Sequence, residues 1–202
     1  MFIFLPQRGW NTVAEDKRGI PFVLLLYLVP LLVITGVIEG LGLAKWGKEQ
    51  SSFLPLKTFT VPDIKVYVLL QFLMSILVVF VGAKMVQSIC EAFRGRQTYS
   101  QTFRLTGYGL GPMFLCRMFD ALPALPWWLV LAVGLVLSIA ALYNGVPRIM
   151  EPDPPQAFGL YVATAVVLVL VTGMGRFLTA WWLDGQFPSV QGWAVKTLGG
   201  VL

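Results

Sequence analysis

Four runs of chain, at 21–44, 66–83, 127–146 and 157–175, hold a single charged residue between them, Glu39. A helix rises about 1.5 Å per residue, so runs of this length cross or nearly cross a hydrocarbon layer about 30 Å thick. Inside that layer every backbone polar group must be bonded internally, which for this pattern leaves helices. Composition agrees: 57% of the 202 residues are hydrophobic and 12% charged, with a mean hydropathy of +0.76. The expected fold class is an all-α integral membrane protein, a polytopic bundle of about five transmembrane helices.

The remaining helix, third in chain order, is the least apolar. Thr98-x-x-Gln101 reads as a capping box that starts it. Its apolar part, 105–119, is short and runs into Arg117, Asp120, Pro123 and Pro126. A re-entrant segment over 105–126 is the alternative, and would leave four spans. The second helix outruns the membrane, because Val86, Ile89, Cys90 and Phe93 continue at i, i+3, i+4, i+7 while Lys84, Glu91 and Arg94 face elsewhere. Gly95 stops it. The expected spans are 21–44, 66–93, 99–120, 127–146 and 157–178, making a domain over 21–183 with a surface tail at 184–202. Residues 45–65, with Lys45, Lys48, Lys57, Lys65, Pro55 and Pro62, form a polar connector. Arg148, Glu151, Asp153 and Pro152, Pro154 and Pro155 make a tight turn, and Arg176 closes the last span.

Before the first span, residues 1–20 do not read as a signal peptide: Met1–Leu5 is too short, and its basic residues follow rather than precede it. Trp10, Val13 and Ala14 recur at helical spacing among charges. This predicts an amphipathic helix in the membrane interface with Trp10 as its anchor. Lysine and arginine divide eight to seven between the two sides, so charge sets no orientation.

Several functions are disfavoured. The chain has no histidine, which removes the commonest general base and zinc ligand. Cys90 and Cys116 form no CxxC, and no phosphate loop, nucleophile elbow or HExxH occurs. The ten carboxylates are scattered at helix ends, so no paired acid and base is visible. We expect no enzyme activity, no cofactor and no metal. The net charge of +5 lies between apolar runs. Such placement suits anionic lipid headgroups and not nucleic acid.

Three constellations remain. Tyr108-x-x-Gly111-Pro112 and Tyr143-x-Gly145-x-Pro147 repeat one spacing. Proline at i removes the bond to the carbonyl at i−4, so Pro112 should free the Tyr108 carbonyl in mid-membrane and leave it needing a polar neighbour. Gly36 with Gly40, Gly107 with Gly111, and Ala141 with Gly145 are small-xxx-small pairs suited to close helix packing. Glu39, Arg117, Asp120 and Arg176 lie in or beside apolar segments. Their near-terminal positions put them at headgroup level, with Arg117 and Asp120 paired at i, i+3. An ion pathway through a polar membrane site would instead require them buried and facing one another.

The order of features carries a family resemblance. A Trp-containing amphipathic start precedes a span with LYLVP, a TFTVP connector and GRQTYSQTFRLTGYGLGP leading into the third helix. ALYNGVPRIMEPDPPQAFGLYVATAVV then joins the fourth helix to the fifth. From about Trp10 to Arg176 the chain resembles the Yip domain family of Ypt/Rab-GTPase-interacting proteins, specifically its short prokaryotic members. Phe158-Gly159-Leu160-Tyr161 stands where members place a Gly-Tyr pair. The resemblance implies five helices, a cytoplasmic amino terminus and, for this branch, a bacterial inner membrane. In eukaryotic relatives it implies vesicle trafficking, Golgi and ER organisation and contact with prenylated small GTPases; those relatives carry a long cytosolic amino-terminal region where about twenty residues precede Pro21 here. The expected function is a non-enzymatic scaffold or adaptor for other integral membrane proteins, in contact with membrane lipid. A homo-oligomer is possible but not indicated. A small transporter, channel or lipid-handling subunit using the kinked third helix is the alternative.

Overall fold

The computed structural model describes residues 6–16, 18–47, 59–153 and 155–198. The apolar lead at 1–5, Lys17, the connector at 48–58 with Lys48, Pro55 and Lys57, Pro154 and the last four residues lie outside them. In chain order come α1 (Pro6–Asp16), α2 (Ile20–Trp46), α3 (Val61–Ala92), α4 (Tyr99–Gly109), α5 (Gly111–Cys116) and a 3-10 turn (Arg117–Ala121). After these come α6 (Trp127–Met150), α7 (Ala157–Asp184) and α8 (Pro188–Leu198). No strand occurs among the described residues. α2, α3, α6 and α7 are long and apolar enough to cross a membrane.

Prolines decide where several of these helices start or bend. Pro21 sits in the first turn of α2, where a missing N–H costs nothing. Pro30 lies inside α2, and the preceding turn, Leu24–Leu28, widens to a π-helix whose Val29 N–H reaches back to the Leu24 carbonyl. α3 begins at Val61, five residues before the expected Val66. Thr60 and Asp63 form a capping box and Pro62 occupies the first turn, so the polar connector already holds a helix start. At its far end Val86 and Cys90 are buried and Lys84, Glu91 and Arg94 exposed, as the pattern predicts. α6 does not stop at Val146. It passes through Pro147 to Met150, and Arg148 Nη1 donates to the Asn144 carbonyl (2.7 Å) on the last turn. α7 likewise continues past Arg176 to Asp184.

The third segment is three pieces: α4, α5 and the 3-10 turn. Thr98 N–H donates to Gln101 Oε1 (2.7 Å), so the predicted cap forms. Every residue from 102 to 114 is buried. This least apolar segment is therefore the axis of the bundle, packed against α2, α3 and α6. The small-residue pairs serve that packing. A Cβ on Gly107 would meet Val23, one on Gly40 would stand 3.1 Å from Val68, and one on Gly145 would stand 2.8 Å from Trp10.

That last contact corrects the reading of Trp10 as an interfacial anchor. Trp10 has no exposed surface. Its ring fills the notch left by Gly145 beside Leu105. α1 is amphipathic, but its apolar face has found the end of the bundle. Arg148 Nε donates to Asn11 Oδ1 (2.9 Å) and Arg104 Nη1 to the Val13 carbonyl (3.3 Å), which ties α1 down at its polar edge.

Candidate functional site

At the other end of the bundle α2 comes unusually close to the 3-10 turn. A Cβ on Gly42 would lie 2.6 Å from the Ala121 Cα, so only glycine permits this approach. The approach carries Arg117 and Asp120 in beside Glu39, one turn earlier on α2. α3 contributes Tyr67, Gln71 and Ser75 from one stripe at i, i+4 spacing. α7 contributes Thr172, Arg176 and Thr179 from another.

Hydrogen bonds close this cluster on itself. Tyr67 Oη donates to Glu39 Oε1 (2.7 Å) and Gln71 Nε2 to Glu39 Oε2 (2.5 Å). Arg117 Nη2 pairs with Glu39 Oε2 (3.1 Å), and its Nη1 donates to Ser75 Oγ (2.8 Å). Arg176 Nη2 pairs with Asp120 Oδ2. Ser75 Oγ donates to the Gln71 carbonyl (2.7 Å) and Thr179 Oγ1 to the Arg176 carbonyl (3.0 Å). Glu39 is 1% exposed, Asp120 3%, Arg117 4% and Arg176 7%.

The expectation that Arg117 and Asp120 pair locally is overturned: Arg117 pairs with Glu39 and Asp120 with Arg176, and all four groups are buried inside the protein. Glu39 lies two turns inside the end of α2, and α7 runs two turns beyond Arg176. Both charges are thus carried inward, where a lone charge is costly and an opposite one becomes the preferred neighbour. Two acids meet two bases, and the cluster is formally neutral.

A cavity of about 20 Å³ adjoins the cluster, room for one water. Gln71, Thr172, Arg117 and Arg176 line it. Gln71 Oε1, Thr172 Oγ1, Arg117 Nε and Arg176 Nε and Nη1 have no hydrogen-bond partner among the described residues. These are an acceptor, a hydroxyl and three donors, of which one water, accepting two bonds and donating two, can serve at most four. No group of His, Cys, Asp and Glu among the described residues could hold a metal. Chemically, the cluster locks four elements together.

The Tyr-x-x-x-Pro motifs do not join it. Pro112 is in the first turn of α5, after a break at Leu110, and not in the middle of a continuous helix as expected. The orphaned group at the break is the Met113 N–H, which donates to Ser138 Oγ on α6 (3.2 Å). Tyr108 is buried against Tyr27, ring centroids 4.5 Å apart, and Gly111 makes room for the Tyr27 hydroxyl. Tyr143 is 62% exposed and meets Tyr161 edge-on at 5.4 Å. Pro147 lies inside α6, and Gly145 receives Trp10. One spacing thus serves two purposes.

Tyr67, Gln71, Ser75, Thr172, Thr179 and Gly42 were not singled out from sequence. Their signal is present: polar residues recurring at i, i+4 or i+7 within otherwise apolar spans mark an inward face.

No curated protein and no solved structure matches the chain. The Yip1 domain profile matches residues 1–175, a stretch that holds both Tyr-x-x-x-Pro motifs and Glu39, Arg117 and Asp120, and that stops one residue before Arg176. A match over most of the chain, on an all-helical fold with four membrane-length helices, identifies it as an integral membrane protein that belongs to the Yip1 domain family.

Proposed function

We propose that this protein is a non-enzymatic membrane scaffold or adaptor, a rigid bundle whose outward faces engage other integral membrane proteins. One observation carries this: Glu39 pairs with Arg117 and Asp120 with Arg176, and the arginine N–H groups left over face a cavity with room for only one water. A catalyst or a conduit keeps a charged group open to substrate or ion. Here the third segment is packed shut from residue 102 to residue 114, which disfavours transport through the break at Leu110. The Yip1 family is not known as an enzyme family, which agrees. A bacterial inner-membrane location goes with this function and rests on the likeness to short prokaryotic members.

Photo-cross-linking in native membranes tests it, with probes on outward residues of α7, Phe158 (72% exposed) and Met174 (68% exposed). The expected result is a discrete partner protein, captured from one face and lost when that face carries a charged substitution. Capture of lipid alone from both faces would overturn the adaptor function.

A further inference from the structure

On the outside of the bundle, an apolar trough of about 480 Å³ lies along the contact of α2 with α3. That volume falls within the range of about 300–1,000 Å³ typical of small-molecule pockets. Gly36 and Gly40 form its floor with Val68, and the exposed Val37 (52%) and Leu41 (65%) stand along its α2 edge. Its inner end is marked by Leu32 and Phe72, its outer end by Ala44 and Lys65.

Length and charge indicate what fits there. From Leu32 to Ala44, twelve steps of about 1.5 Å give about 18 Å. One leaflet is half of a hydrocarbon layer about 30 Å thick. The trough therefore runs from headgroup level to mid-bilayer and stops, whereas a partner helix would need a groove across both leaflets. The one charged residue that lines it is Lys65, at the headgroup end. Lys65 makes no ion pair among the described residues. Lys45, with its ammonium 4.8 Å from the Trp46 ring centroid, marks the same level. The Asp63 carboxylate nearby is engaged in the Thr60 cap.

We propose that this trough binds one acyl chain of an anionic glycerophospholipid, with Lys65 pairing with its phosphate. The small residues of α2 then have a second use: they let the two helices touch and leave open, on the lipid side, the space that larger side chains would fill. This site stands independently of the adaptor function.

Native mass spectrometry of the full chain in detergent, offered equal phosphatidylglycerol and phosphatidylcholine, tests it. We expect one retained lipid, with phosphatidylglycerol favoured about five-fold, the effect of one lysine near an anionic headgroup. Val37→Trp, which fills the trough, should lose the lipid, while Met174→Trp on the outward face of α7 should not. Lys65→Gln should keep a lipid but lose the preference. Leu41→Trp replaces Val37→Trp if the latter shifts the melting temperature. Four results would each overturn the proposal: no retained lipid, equal retention of both lipids by the unaltered chain, equal retention by both tryptophan variants, or a dimer that Val37→Trp dissociates.

Discussion

The third segment and the four helices around it invert what a water-soluble protein teaches about burial. The outer helices are the apolar ones, yet 28% to 44% of their most apolar windows is buried. The segment running from α4 to the 3-10 turn contains Thr102, Arg104, Thr106, three glycines and two more charges, and is almost wholly buried. Lipid is the poorer solvent for a polar atom, so polarity retreats to the axis where protein can satisfy it. Within this bundle hydropathy ranks contact with lipid, and polar residues at helical spacing report contact with protein.

Variants on either side of that divide should differ in size of effect. The largest belongs to Arg117→Met, which leaves Glu39 buried beside Tyr67 and Gln71 without its cation. We expect a loss of about 3–5 kcal/mol, read from unfolding in mixed micelles. Adding Glu39→Leu should recover at least half of it, because an apolar replacement of the whole pair needs no compensation. If the two losses simply add, the pair is not coupled and the axis is held by packing alone.

A smaller effect is expected from Pro112→Ala on the same segment. Pro112 sits where a helix start tolerates proline, so its main contribution is to restrict the unfolded chain. The variant should lose about 0.4–1 kcal/mol in the same unfolding assay, with the helix break kept in place by the Met113–Ser138 hydrogen bond. A gain in stability would mean that the break is imposed by the proline. Smallest is Val136→Ala, on an outward α6 residue that is 65% exposed. Its melting temperature should stay within the shift that about 0.5 kcal/mol produces. A larger shift would show that face to be covered.

Much of this fold was legible in the sequence because lipid imposes simple rules. Uninterrupted apolar length marked α2, α3, α6 and α7, and Thr98 with Gln101 marked the start of α4. The boundaries missed have local causes. Pro62 and Lys65 look like loop residues, yet Thr60 and Asp63 cap a helix that already contains them. Pro147 looks like a terminator, but a helix buried against neighbours can lose one hydrogen bond and continue. For the site, Glu39, Arg117, Asp120 and Arg176 could be named singly. Their meeting could not be read, because it depends on Gly42 touching Ala121 across nearly eighty residues of chain. Trp10 misled for a related reason, since an amphipathic face does not say whether lipid or protein will cover it.

The ion pair between Glu39 and Arg117 also sets an order of assembly. Each partner alone at membrane depth costs about 2.5–3.5 kcal/mol. A chain emerging from its amino terminus places Glu39 in the bilayer first. Tyr67 and Gln71 arrive with the next helix, the cation only with the third segment, and Asp120 is matched only when Arg176 follows on the last. Translation stopped anywhere before that last helix leaves an unmatched carboxylate in the membrane. Only when the last helix is in place are both carboxylates matched and the buried cluster electrically quiet.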